Sequence, residues 1–179
     1  MLRRMVIIVM GVTGSGKTTV GEALAASIGC GFFDADSFHS AANKAKMSSG
    51  VPLTDDDRWP WLEAIRARID TLLAGGESGV FGCSALKAAY RHILGEDDTR
   101  VKFVYLHGPE ALLAERLRRR VGHFMNPALL TSQIATLEAP PNAVRIQVAL
   151  PLAAQVREIR RALSVDGGHR EDAGSSHRS

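Results

Sequence analysis

Short apolar runs alternate along this chain with stretches of helical period. Met5–Met10 is continuous, apolar and rich in β-branched residues, the pattern of a strand buried on both faces. Past a polar, glycine-rich turn, Val20, Leu24 and Ile28 share one face, predicting a helix from Lys17 to about Ile28 that Gly29-Cys30-Gly31 stops. Phe32–Asp34 reads as a second strand and Ala41–Ser49 as a short helix carrying Lys44 and Lys46, ended by Gly50. Leu62, Ile65, Ile69, Leu72 and Leu73 then keep helical spacing up to Gly75-Gly76. The start of that helix has two readings. Asp57 as cap puts Pro60 in the tolerated first turn, whereas a Thr54–Asp57 capping box starts the helix one turn earlier with a kink at Pro60. Gly79–Cys83 reads as strand three, with Ser84 capping a helix over 85–94 that carries Lys87 and Arg91 on one face. Arg100–His107 is strand four, Pro109 opens a helix through Arg120, and Asn126-Pro127 opens another to about Leu137. After the break at Glu138–Asn142 come strand five, Val144–Val148, and a closing helix, Leu152–Leu163. Ser164–Ser179 is polar and aperiodic and reads as a disordered tail. Five strands alternating with helices predict one three-layer α/β/α domain over residues 1–163.

Composition alters this picture little. With 179 residues, 45% hydrophobic and 23% charged, the chain suits one globular domain. Its charge of +3 and pI near 9.1 raise a nucleic-acid partner, but no aromatic residues interleave with the basic ones, so none is expected. Cys30 and Cys83 make no disulfide framework, which suggests a reduced, cytoplasmic protein. Arg3-Arg4 and the apolar run imitate a secretory signal, yet cleavage near Ala23-Leu24-Ala25 would destroy the segment described next. No apolar run approaches the roughly 18 residues of a membrane span, so no membrane association is expected. Trp59 and Trp61 read as core anchors.

Gly11-Val12-Thr13-Gly14-Ser15-Gly16-Lys17-Thr18 is a complete G-x-x-x-x-G-K-[ST] phosphate-binding loop between a strand and a helix. Its glycines let successive N–H groups face phosphate oxygens, Lys17 offers an ammonium to the β- and γ-phosphates, and Thr18 offers a hydroxyl to Mg²⁺. Thr19 follows in the first turn. Asp34 and Asp36, just past strand two, fall at the ligand-binding edge of a parallel sheet, with loop solvation or helix capping as the structural alternative. One carboxylate would fix Mg²⁺ through water while the other accepts a hydroxyl proton. The chain has no N-K-x-D guanine-reading motif, and its third strand ends at Cys83-Ser84 rather than in an Asp. Both features favour a small-molecule kinase over a switch GTPase. The arginines Arg116, Arg118, Arg119 and Arg120 read as a solvated helix end or as part of a lid, about residues 116–138.

Several blocks resemble the bacterial gluconokinase family. They are FFDADSFHSAANKAKMSSGVPLTDDDRWPWL; Gly82-Cys-Ser-Ala-Leu-Lys87-x-x-Tyr90-Arg91; Gly122-His123-Phe124-Met125; and Leu130-x-Ser132-Gln133-x-x-x-Leu137-Glu138-x-Pro140. The likeness covers roughly residues 6–163. It implies a nucleoside-monophosphate-kinase-like fold with sheet order 2-3-1-4-5 and a helical lid, homodimerisation, and ATP-dependent phosphorylation of D-gluconate to 6-phosphogluconate, feeding the pentose phosphate or Entner–Doudoroff route. By that likeness Asp34 would orient Mg²⁺ through water and Asp36 would take the acceptor's hydroxyl proton. Arg58 would hold the substrate carboxylate, with His39, Lys46, Lys87, Arg91 and His123 around it, loop packing being the alternative for His39. Arg120 would reach the transferring phosphate, and Arg116 would stack on adenine. Two positions depart from the family pattern: Ala35 replaces a glycine between the acidic residues, and Ser40 replaces the proline after His39. A shikimate- or nucleotide-directed kinase of the same fold is the nearest rival. It is disfavoured by Ser84-Ala-Leu-Lys in place of a glycine-rich substrate loop, and by Gly122-His-Phe in the lid. A non-catalytic ATP-binding module is the other alternative, and the intact Lys17, Thr18 and Asp36 argue against it.

Overall fold

The computed structural model describes residues 4–120 and 127–164. In chain order the elements are β1 (Val6–Met10), α1 (Lys17–Ile28), β2 (Gly31–Asp34), a 3₁₀ turn (Ala35–Phe38), α2 (Ala41–Ser48) and α3 (Asp55–Ala74). They continue with β3 (Gly79–Gly82), α4 (Ala88–Leu94), β4 (Val101–His107), α5 (Glu110–Arg118), α6 (Pro127–Thr136), β5 (Val144–Gln147) and α7 (Leu152–Ala162). The sheet has the expected order β2-β3-β1-β4-β5, and every pairing is parallel.

β1 is central, and its side chains feed two cores in alternation. Ile7 and Val9 pack with Val20, Leu24 and Leu113 on one side. Val6, Ile8 and Met10 pack with Leu62, Ile65 and Ile69 on the other. All five β1 residues are fully buried, which explains the unbroken apolar run. Because β1 pairs β3 on one side and β4 on the other, the chain's direction of progress reverses at β1. The crevice beyond its C-terminal end is where such sheets take ligands.

Several boundaries resolve or correct the sequence reading. The capping box is the true start of α3: Thr54 accepts from the Asp57 N–H, and the Asp57 side chain accepts from the Thr54 N–H. Pro60 lies inside the helix. The predicted helix over 85–94 begins only at Ala88 with Lys87 as cap, so Ser84 caps nothing there. Ala85 takes φ 46°, a left-handed conformation that no helix accommodates. Lys87 and Arg91 therefore do not share a helical face. α5 stops at Arg118, leaving Arg120 beyond its cap. His123, the middle of the expected lid and the tail from 165 onward lie outside the described residues.

Candidate active site

The loop joining β1 to α1 leaves a helix terminus open. Gly16, at φ 91°, caps α1 without any side-chain hydrogen bond, and no acidic residue sits in the first turn. The starts of α2 and α3 are instead closed by the Ser40 and Thr54 side chains. Unused amides at the positive end of a helix are what an anion site needs. Gly11 is required by contact as well as by its φ of 152°: a Cβ there would stand 2.8 Å from the Leu106 carbonyl oxygen. Ser15 Oγ is buried with no hydrogen-bond partner among the described residues, so the loop keeps unspent polar capacity.

Lys17 Nζ folds over this loop and donates to the Val12 carbonyl at 3.1 Å. Burial pushes its pKa down to about 8; Cys83, Asp36 and Asp34 pull it up, and Arg120 pushes it down. Asp34, Asp36 and Arg120, far apart in sequence, thus stand within electrostatic reach of one ammonium. An incoming triphosphate would restore the charge that burial penalises. From Ser15, Gly16 and Thr19 a cleft of about 360 Å³ runs to Arg116 and to Leu150 and Pro151 before α7. Arg116 is fixed there by donating to the Val148 carbonyl. A larger groove of about 580 Å³ lies between Ala23 of α1 and Leu152, Val156 and Arg157 of α7, away from these groups.

At the end of β2, Asp34 takes the capping reading. Its Oδ1 caps the 3₁₀ turn by accepting from the Asp36 N–H at 2.9 Å, while its charge acts on Lys17 and Asp36. Desolvation and then the Asp34 charge push the Asp36 pKa up, against His39 and Lys17. Ala35 is buried at ordinary, negative φ, and its carbonyl accepts from Trp61 Nε1 at 2.7 Å. The methyl group that departs from the family pattern is therefore housed without backbone strain. Ser40, the second departure, caps α2 through the Asn43 N–H.

His39 is buried and stacks on Trp61 with ring centroids 4.3 Å apart. Desolvation lowers its pKa, keeping the imidazole neutral at pH 7. Asn43 Nδ2 already gives one hydrogen to the Asp57 carbonyl at 2.8 Å and lies 3.4 Å from His39 Nδ1. Nδ1 then accepts, and Nε2 carries the proton. Both tryptophans serve as walls of this region, Trp61 under His39 and Trp59 edge-on to Tyr90.

The cations beyond His39 come paired. Lys46 Nζ donates to Asp57 at 2.7 Å and holds that carboxyl down to about 2. Lys87 Nζ donates to both oxygens of Asp55, at 2.9 and 3.1 Å, and Tyr90 OH donates to the same carboxylate. Arg58 Nη1 lies 3.7 Å from it. Arg91 is placed otherwise than the sequence suggested. It is 1% exposed, and its Nη1 donates to the carbonyls of Ala85, Leu86 and Glu138 while Nε pairs with Glu96. It ties down the β3–α4 loop rather than facing a substrate.

Sequence reasoning gave no role to Asp55, Tyr90, Asn43, Gln133 or Glu138. Gln133 Oε1 accepts from the Thr13 N–H at 2.6 Å, and Glu138 Oε2 accepts from the Ala88 N–H at the start of α4, also at 2.6 Å. These contacts span 120 and 50 positions for Gln133 and Glu138, 32 and 35 for Asp55 with Lys87 and Tyr90, and 14 for Asn43 with Asp57, so no local pattern announces them. The only signal available was their place inside the resembling blocks.

A family model described as an AAA domain matches residues 6–140. Among curated proteins, a probable gluconokinase of Dictyostelium discoideum is 50% identical over 144 residues, covering 77% of this chain and 72% of that one. A gluconokinase of Gluconobacter oxydans is 47% identical over 139 residues, covering 78% of each. Among solved structures, a gluconokinase from Sinorhizobium meliloti superposes with a TM-score of 0.82 at 48% identity, over 92% of this chain and 94% of that one.

Proposed function

This chain belongs to the gluconokinase family, and from that premise we infer that it transfers the γ-phosphoryl group of ATP to the terminal hydroxyl of D-gluconate, releasing ADP and 6-phospho-D-gluconate. One observation supports the acceptor half of this reading: Arg58, Lys87 and Tyr90 converge on a carboxylate, that of Asp55, and such donors suit a carboxylate ligand. The open α1 terminus and the buried Lys17 support the donor half.

The roles follow from chemistry. Amides of the loop Gly11–Thr19 and the Lys17 ammonium would hold the β- and γ-phosphates, with Arg116 against the base in the adjoining cleft. Arg58 and Lys87 would grip the carboxylate, while His39 Nε2–H and Lys46 donate to hydroxyls along the chain. At the far end Asp36 would accept a hydrogen bond from the terminal hydroxyl. As the oxygen bonds to phosphorus and the bond to ADP breaks, the hydroxyl proton passes late to Asp36 and then to water. A carboxylate whose pKa is raised is a better base for that step than an ordinary one. Arg120, already felt by Lys17, would neutralise charge on the equatorial oxygens. His123 remains a proposed substrate contact on the resemblance alone.

Among the described residues no group of three or more His, Cys, Asp or Glu could hold a metal ion. Mg²⁺ carried in on the nucleotide would need few protein ligands: the Thr18 hydroxyl, and Asp34 through water. Bound there, Mg²⁺ would supply neutralisation of the phosphates' charge. Among the described residues no helix is long and apolar enough to cross a membrane. A cytoplasmic location and a homodimer rest on the cysteine content and on the family resemblance respectively.

Acceptor-dependent ADP release tests this reading. D-Gluconate should be turned over far faster than shikimate or nucleoside monophosphates in the presence of ATP and Mg²⁺. Preference for either rival would refute it.

A further inference from the structure

Asp55 has no part in the reaction just described, yet the donors assigned to the acceptor's carboxylate are gathered on it. Lys87 reaches both of its oxygens, Tyr90 OH donates to one, and Arg58 Nη1 stands 3.7 Å from that oxygen and 3.4 Å from Tyr90 OH. We propose that Asp55 is a tethered stand-in for the acceptor's carboxylate, seated on Arg58, Lys87 and Tyr90 in the empty enzyme and displaced when a sugar acid binds. This rests on the reading of the acceptor as a carboxylate-bearing sugar acid.

The donor chemistry comes first. An ammonium, a guanidinium and a phenol hydroxyl converge on one carboxylate, and a second carboxylate arriving from solvent would seek the same three. Arg58 and Lys87 also lie over the Tyr90 ring, 5.8 and 5.5 Å from its centroid, so their positions do not depend on Asp55 alone. Exposure is the second point. The Asp55 side chain is 42% exposed, so ligand can compete for its partners. Asp55 is also free to leave. It occupies the first position of α3, and the capping box that fixes that terminus is made by Thr54 and Asp57. Its side chain can swing away without opening the helix.

The consequence is selectivity. A tethered carboxylate competes at the high effective concentration of an intramolecular partner. A small carboxylate such as acetate offers nothing beyond what Asp55 already supplies and is excluded. A polyhydroxylated acid gains further hydrogen bonds from the His39 and Lys46 side and wins. Charge works the same way: two cations less one carboxylate leave a single net positive charge, suited to a monoanion.

The test is Asp55→Asn, with Asp55→Ala as a second variant lacking any acceptor atom. Both should lower KM for gluconate about five-fold, the scale of an exposed charge-assisted contact, with KM for ATP unmoved. The inhibition constant of 6-phosphogluconate should fall by the same factor, because product and substrate share the carboxylate. Acetate should become a competitive inhibitor against gluconate in the variants only. An unchanged or raised KM for gluconate in variants that keep their melting temperature would overturn the proposal, since Asp55 would then be orienting its neighbours rather than standing in for a ligand. Absence of gluconate turnover in the unaltered protein would instead defeat the acceptor reading, and is seen before any variant is compared.

Discussion

Asp36 is the residue on which the proposed chemistry turns. Desolvation and the Asp34 charge raise its pKa, while its neighbours Lys17 and His39 work the other way. The reactive form is the carboxylate, so activity should rise with pH through the Asp36 pKa, which lies above the ordinary value for an Asp, and then level off. Asp36→Asn should lower kcat by about two to three orders of magnitude, abolish that acid limb and leave ATP affinity within about two-fold. A variant with unchanged kcat and the same acid limb would remove Asp36 from the mechanism. At this scale the sequence was a partial guide. Asp34 and Asp36 were legible because their spacing and strand-end position are local properties. What houses the Ala35 methyl group was not, since that depends on a negative φ and on a hydrogen bond from Trp61, 26 residues away.

Between elements, the terminus of each helix decides what it can do. α1 is left open to anions, and α3 is closed by its own residues. α4 is closed by Glu138, fifty residues distant. That last contact explains why Ser84 misled: a good local capping residue lost to a tertiary one once Ala85 turned left-handed and Arg91 claimed the loop's carbonyls. Gln133 and Glu138, in the last part of the expected lid, form a two-ended brace, one end on the phosphate loop and the other on the loop that presents Lys87. Gln133→Leu would leave the buried Thr13 N–H unpaired, a loss of about 1–3 kcal/mol. The variant should melt lower and show a raised KM for ATP with KM for gluconate less affected. Equal effects on both substrates, or none, would show that Gln133 does not hold the donor loop.

Across the whole molecule, the sheet order gathers what the chain keeps apart. β2, β3 and β1 lie side by side in parallel, so Asp34–Asp36, Cys83 and the phosphate loop all emerge at one edge. β4 and β5 bring the Arg116 contact and its adjoining cleft to the same edge. The alternation of apolar runs made the layers legible, because a central parallel strand must be apolar on both faces. The pairing of Asp55 with Lys87 and Tyr90 was illegible, because 32 and 35 residues separate the partners and only α3 packed beside α4 makes them neighbours.

A carboxylate-anchored acceptor should present its far hydroxyl to the donor loop. Proton-coupled ³¹P NMR of the product formed from ATP and D-gluconate tests it most directly. The predicted result is one phosphate monoester signal split as a triplet by a methylene pair, with ADP appearing in step. A doublet from a secondary carbon, or ADP released with no new ester, would contradict it.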